Sequence, residues 1–275
     1  MTNHSDKRRR GLTLLELVVV MAILVALAAV LIPTLPSLLG RANQASGVSN
    51  VVDLDKALQT YLGTNLHYPD RFDSLLDGGG TELSALLPTP DEGGAPVGGW
   101  VVAGSIDSGQ LLRLQRAGIT EVCDFDDENA KHATLYPYGA NDKILPTPRP
   151  LEADGSVAVL AAKGGSYDGA LPGVDLDEDH TYVVLGVGNP CTLCGPGGQV
   201  REAPMYLHHK AIKSPDEQYQ RLCAIFDVGP TGTQGRGADA NLVAVVGLKG
   251  PKLSSASEVL GSFTSEDTGP GSEYK

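Results

Sequence analysis

The sequence has no surplus of positive charge. Its 275 residues carry 21 Lys and Arg against 33 Asp and Glu, a formal net charge of −12. Without a basic face a chain cannot neutralise nucleic-acid phosphates, so a general nucleic-acid binder is excluded. Nucleotide and catalytic signatures are missing as well. GPTGTQGRG at 229–237 lacks the Lys-Ser/Thr ending of a phosphate-binding loop. GVGNPC at 186–191 lacks the third glycine of a dinucleotide fingerprint. Neither a G-x-S-x-G elbow nor an H-E-x-x-H zinc helix occurs, and no internal repeat is visible. These absences argue against an enzyme and require no cofactor.

What is present is distributed unevenly. Gly and Pro make up about 19% of the chain, above the average of about 12% but below the composition of low-complexity chains. Residues 1–11, MTNHSDKRRRG, are polar and end in Lys7, Arg8, Arg9, Arg10 and Gly11. Leu12 to Ile32 then form 21 residues with Glu16 as the one ionisable group. As a helix this run is about 31 Å long, one hydrocarbon thickness. The basic cluster before it predicts a cytoplasmic N-terminus, with everything after Pro33 across the membrane. A secretory signal peptide fits poorly, because its apolar region is only about 7–15 residues long. Glu16 stands out: a carboxylate in an apolar span needs a partner or a task. Its place near the helix start puts it where negative charge is favoured.

KRRRG followed by LTLLEL resembles the leader and cleavage site of type IV prepilins and type II secretion pseudopilins. The resemblance implies cutting between Gly11 and Leu12 by a membrane-embedded prepilin peptidase, and N-methylation of Leu12. Family members commonly have Phe at that first position, where this chain has Leu12. Glu16 becomes the fifth mature residue and matches the family's glutamate, expected to pair with the N-terminal amine of a neighbouring subunit. Pro33 becomes the twenty-second and matches the family's helix-kinking proline. A glutamate satisfied only by a neighbour favours register between subunits over the lone monomer. Pro33 and Pro36 both lie in the helix path, which predicts a kink or local unwinding over 30–37.

Beyond Pro36, Val48, Val51, Val52, Leu54, Leu58, Tyr61 and Leu62 recur at three- and four-residue steps. This predicts an amphipathic stalk helix over 33–63, packed on a globular head, with Gly63 as its stop. The exit, with Ala57, Leu58, Tyr61, Asn65, Tyr68 and Pro69 and then Phe72, Leu75 and Leu76, resembles that of major pseudopilins. The resemblance implies a short helix after the Tyr-Pro pair, covers about residues 7–76, and favours the pseudopilin branch over adhesive pilins.

Residues 64–261 are expected to form an α+β head: the long helix packed on an enlarged, loop-rich, mainly antiparallel sheet, in a pilin-like arrangement. Residues 78–96 are Gly- and Pro-rich and predict a loop. Strand-like runs occur at Trp100–Ile106, Val157–Ala162, Tyr182–Val187, Leu222–Phe226 and Leu242–Leu248, with a short helix at Gln110–Ala117. PTPRPLEADG at 146–155 is either an internal boundary or a loop of one continuous domain. Residues 262–275 have few apolar side chains and predict a disordered tail.

Four cysteines, Cys123, Cys191, Cys194 and Cys223, allow three disulfide connectivities, unpaired thiols or a four-Cys zinc site. An extracytoplasmic head favours at least one disulfide. Asp175, Asp177 and Asp179 open like a calcium loop, but His180 and Gly186 stand where an EF-hand needs Gly and Glu. The resemblance to calcium-binding major pseudopilins keeps Ca2+ as a candidate ligand beside the plainer reading of a solvated acidic loop.

The expected role is a pseudopilin-like subunit of a type II secretion pseudopilus. Its partners would be other pilin or pseudopilin subunits, the prepilin peptidase and an inner-membrane secretion assembly platform. A type IV pilus or competence-type minor pilin shares every N-terminal feature, and a signal-anchored binding or enzymatic domain is the third reading. The length, about twice that usual for a major pseudopilin, leans toward a minor or specialised subunit, whereas Glu16 is often absent from large tip subunits. Loss of residues 1–11 removes four basic residues from 21 and one acidic residue from 33, leaving 17 against 32. The acidity therefore belongs to the exported part, and the basic residues act as an address.

Overall fold

The computed structural model describes residues 14–32, 35–77, 80, 82–83, 87, 100–125, 148–162, 165–168, 170–171, 173–205, 219, 221–233, 237–249 and 252–254. Gly11, Leu12, Pro33 and the tail over 262–275 lie outside these residues. Two units are present, Met1–Asn43 and Gln44–Lys275.

In the first unit, α1 spans Leu14–Leu31. Its sequence has no helix breaker and no polar face, and its large apolar side chains from Leu14 to Leu27, and Leu31, are exposed. As described, its 18 residues reach about 27 Å, against about 30 Å of hydrocarbon. Among the described residues no helix is long and apolar enough to cross a membrane. The apolar run that predicted a span is three residues longer, and its first two, Leu12 and Thr13, are outside the description.

Helix α2 covers Leu35–Asn65, close to the expected stalk. From Gln44 onward it belongs to the second unit, where Val51, Leu54 and Leu58 are buried and Val48, Ala57, Tyr61 and Leu62 pack partly beside them. Val52 lies off this stripe, partly buried. Gly63 does not stop the helix. Leu66 does, adopting φ 62° while its N–H bonds Leu62 O at 2.8 Å, the left-handed cap that glycine usually supplies.

The second unit is α+β, and its strands form one sheet of nine. They are β1 (Phe72–Asp77), β2 (Val101–Ser105), β3 (Glu121–Phe125), β4 (Pro148–Pro150), β5 (Ser156–Leu160), β6 (His180–Gly186), β7 (Leu222–Pro230), β8 (Asn241–Lys249) and β9 (Lys252–Ser254). The order is β4-β3-β1-β6-β7-β8-β9, with β2 paired to β5 and β5 to β6. One side of β6 thus serves two neighbours, β5 at Val183 and β1 at Gly186. Only β1 and β3 run parallel; the other pairs are antiparallel.

Both faces of the sheet are covered, which is why its central strands read as near-continuous apolar runs. On β7 the side chains alternate with period two. Leu222, Ala224, Phe226 and Val228 enter one core with α2, and Cys223 and Ile225 enter the other. The first core also takes Leu114 of α3 (Ser108–Arg116), which starts on a capping box between Asp107 and Gln110. The second core is roofed by loop residues, among them Leu87, Trp100, Tyr167 and Leu171.

The helix expected after Tyr68-Pro69 is a strand. Phe72, Asp73, Ser74, Leu75 and Leu76 are all buried between β3 and β6, whereas a helix there would present one buried face. Arg71 and Leu75 both have φ 62°, outside the right-handed helical region, and the pairing with β3 slips between Asp73 and Asp77. Residues 148–155 lie inside the second unit, with β4 paired along β3.

Leu66 is 86% exposed, so its side chain gives little packing in return for its left-handed backbone. Leu66→Gly is expected to stabilise the head by about 0.5–1 kcal/mol, a thermal midpoint about 2–3 °C higher. A lower midpoint would show that Leu66 holds the helix end by other means.

Candidate functional site

Two places in the chain depart from what a water-soluble domain requires. The first is α1, an apolar helix whose side chains find no cover in the isolated chain. A helix that is apolar all round is ordinarily buried in protein or lipid. Its one acidic group, Glu16, sits in the first turn, where the helix dipole favours negative charge. Gly11, Leu12 and Pro33 lie outside the described residues, so only Glu16 of the four predicted processing and assembly positions is placed.

The second is a buried polar cluster on β1. Asp73 is fully buried, accepts a 2.9 Å hydrogen bond from the Tyr219 hydroxyl at Oδ2, and has no partner at Oδ1. Desolvation pushes its carboxyl up to about 7, against the lowering effects of Tyr219 and of the nearby Arg221 guanidinium. Burial lowers the Arg221 pKa in turn, and Arg221 Nη1 donates to Ala203 O. The backbone makes room for the carboxylate with glycines. A Cβ on Gly188 would fall on the Asp73 carboxylate, and one on Gly186 would strike the Tyr219 hydroxyl. An aspartate inside the apolar run FDSLLD was the one sequence signal of this cluster.

Strand register places the cysteines around it. Cys123 pairs with Asp73, Asp73 with Gly186, and Gly186 with Cys223, so the four residues form one row across β3, β1, β6 and β7. Three strand spacings separate Cys123 from Cys223, about 14 Å. That distance excludes a disulfide between them and a zinc ion shared by all four cysteines. Cys191 and Cys194 lie in the loop after β6 and belong to the first core, whereas Cys223 belongs to the second. All four are buried thiols, and burial is the largest cause raising each pKa.

Asp175, Asp177 and Asp179 are not brought together. Asp177 Oδ1 accepts from the Asp179 N–H at 3.1 Å, and its Oδ2 lies 3.7 Å from His180 Nε2. Among the described residues no group of three or more His, Cys, Asp and Glu is arranged to hold a metal ion.

Sequence reasoning missed Asp70 entirely. Its Oδ1 accepts from the N–H groups of Arg71, Thr120 and Glu121, each at 2.9 Å, and its Oδ2 accepts from the Thr120 hydroxyl. Its backbone trades two bonds with Thr192: Asp70 N to Thr192 Oγ1 at 2.8 Å, and Thr192 N to Asp70 O at 2.9 Å. The residue just after Tyr68-Pro69 therefore ties the segment that leads into β1 to the start of β3 and to the loop after β6.

Residues 6–32 match the family described as the prokaryotic N-terminal methylation motif. The chain begins with a prepilin-type methylation motif. It is 42% identical over 66 residues to the type II secretion system core protein G of Pectobacterium carotovorum subsp. carotovorum, covering 24% of this chain and 42% of that protein. The Escherichia coli K12 protein of the same name is 40% identical over 66 residues, covering 24% and 46%. The Klebsiella pneumoniae protein is 35% identical over 95 residues, 34% of this chain and 65% of that protein. The chain thus spans about half the length of these relatives, and most of its head lies beyond the match. No solved structure matches the chain.

A raised carboxyl makes the fold pH-dependent. The unfolded chain releases the Asp73 proton near pH 4 and the folded chain only near 7, so this group's contribution falls as pH rises between those values. Asp73→Asn keeps the shape and removes the charge. It is expected to flatten that decline, leaving the thermal midpoint at about pH 3 nearly unchanged and raising it by several degrees at about pH 8. Equal midpoint changes at both pH values would disprove the assignment.

Proposed function

We propose that the chain is a pseudopilin-like subunit of a type II secretion pseudopilus. The observation that carries this reading is the methylation motif at 6–32 running directly into an exposed, evenly apolar helix. The similarity of the N-terminal quarter to the core protein G relatives supports it. Prepilin peptidase cuts between Gly11 and Leu12 and methylates the Leu12 amine. The helix is held in the inner membrane with the leader on the cytoplasmic side and the head outside the cytoplasm. On assembly the α1 surface is covered by the helices of neighbouring subunits.

Glu16 supplies the register. A carboxylate carried into apolar surroundings is costly without a cation beside it, and in an assembled filament the methylated amine of a neighbouring subunit supplies one. The head acts as the structural and contact-making part of the subunit.

Intact-mass analysis of protein from a host with a prepilin peptidase is expected to show loss of residues 1–11 and gain of one methyl group on Leu12. An intact Met1 would sink the reading. Glu16→Ala should leave cleavage mostly intact while lowering incorporation into filaments at least about tenfold, since breaking a buried pair costs about 3–5 kcal/mol. Normal incorporation would refute the amine pairing.

A further inference from the structure

We propose that Cys191 and Cys194 are the one disulfide-forming pair of this chain, closing the four-residue turn under the stalk helix while Cys123 and Cys223 remain thiols. The turn already has the required shape. Cys194 N–H donates to Cys191 O at 2.8 Å, an i to i+3 bond that holds the two Cα atoms within about 7 Å, the span disulfides use. Both cysteines sit in the same core. Cys123 and Cys223 stand about 14 Å apart in the strand row and cannot pair with each other.

The ring would lock the loop that seats α2. Thr192, inside it, makes both backbone-level ties to Asp70. Just beyond it, Gly195 N–H donates to Val200 O and Val200 N–H to Leu193 O. Turned so that its nitrogen faces the helix, the Gln199 amide donates to Ala57 O at 2.9 Å. Asn50 Nδ2 donates to Met205 O at 2.8 Å.

The chemistry is thiol–disulfide exchange with a small-molecule or protein disulfide as oxidant. One cysteine thiolate attacks the oxidant's S–S bond, forming a mixed disulfide and expelling one thiolate. The second thiolate then attacks the mixed disulfide, forming the Cys191–Cys194 bond and expelling the other. Two protein protons leave and the oxidant ends as two thiols. In the folded chain the two sulfur-bearing side chains are closed to solvent, so exchange precedes closure of the loop over the core. A cellular source of oxidant rests on the extracytoplasmic placement proposed above; the pairing does not.

The test uses the full chain in detergent, refolded from guanidine in an oxidised/reduced glutathione buffer and then alkylated under denaturing conditions. The expected result is alkylation at Cys123 and Cys223 only. The peptide holding Cys191 and Cys194 should be unalkylated and lighter by two hydrogens. Cys191→Ala should give three alkylated thiols, and reduction should lower the thermal midpoint of the natural chain but not of Cys191→Ala/Cys194→Ala. Four alkylated thiols, protection of Cys123 or Cys223, or thiols protected together with stoichiometric zinc would each overturn the proposal. Acid-trapped cells test the location separately. A turn that is reduced in cells yet oxidised in the refolded chain counts against the extracytoplasmic head and leaves the pairing standing.

Discussion

The constraint on which the chain turns is that α1 cannot rest in water. Fully burying a Val, Leu, Ile or Met side chain is worth about 1.5–3 kcal/mol. More than ten such side chains between Leu14 and Leu31 are exposed in the isolated chain. That surface exceeds the whole stability of an ordinary domain, about 5–15 kcal/mol. The helix must therefore be covered, and lipid or other copies of the same helix can do it about equally well. Glu16 is the one ionisable side chain within the described helix.

The head solves the opposite problem, having two apolar sheet faces to hide and one long helix to hide them with. The C-terminal part of α2 and α3 serve the first face, and loops carrying Leu87, Trp100, Tyr167 and Leu171 serve the second. Loops can do so only when their own backbone groups are tied down, as where Ala170 N–H donates to Tyr167 O at 2.9 Å and Ala161 N–H to Trp100 O at 3.0 Å. Asp70 and Asp73, three residues apart, divide the labour on β1. The first is satisfied by four donors and organises its surroundings. The second is under-satisfied and keeps its proton to near neutrality.

The parts legible in the sequence were those governed by local periodicity. The stalk stripe through Val51, Leu54 and Leu58, the helix at 110–117 and the five Val- and Leu-rich runs were visible because each buries side chains at a fixed spacing. β1 was misread because FDSLLD carries neither helical nor alternating spacing; it is a strand by virtue of neighbours contributed from residues 121–125 and 180–186. β3 and β4 are short, and β4 carries two prolines, so neither announces itself. The Asp73 cluster draws on residues separated by up to 148 positions, and no motif spans that distance. The N-terminal signal was legible because its chemistry is read in sequence order, basic leader, glycine and then an apolar run, before any fold exists.

Pro148 and Pro150 bracket Arg149 on β4, which ends the β1-β3-β4 branch of the sheet. A proline has no N–H to offer, so this rim lacks donors for an incoming strand. At the opposite rim β9 is three residues long and opens with Lys252. These two margins are blunted against edge-to-edge pairing, whereas β2, paired to β5 alone, ends the third branch of the sheet. A second chain brought alongside β4 or β9 would find few backbone donors with which to extend the sheet there.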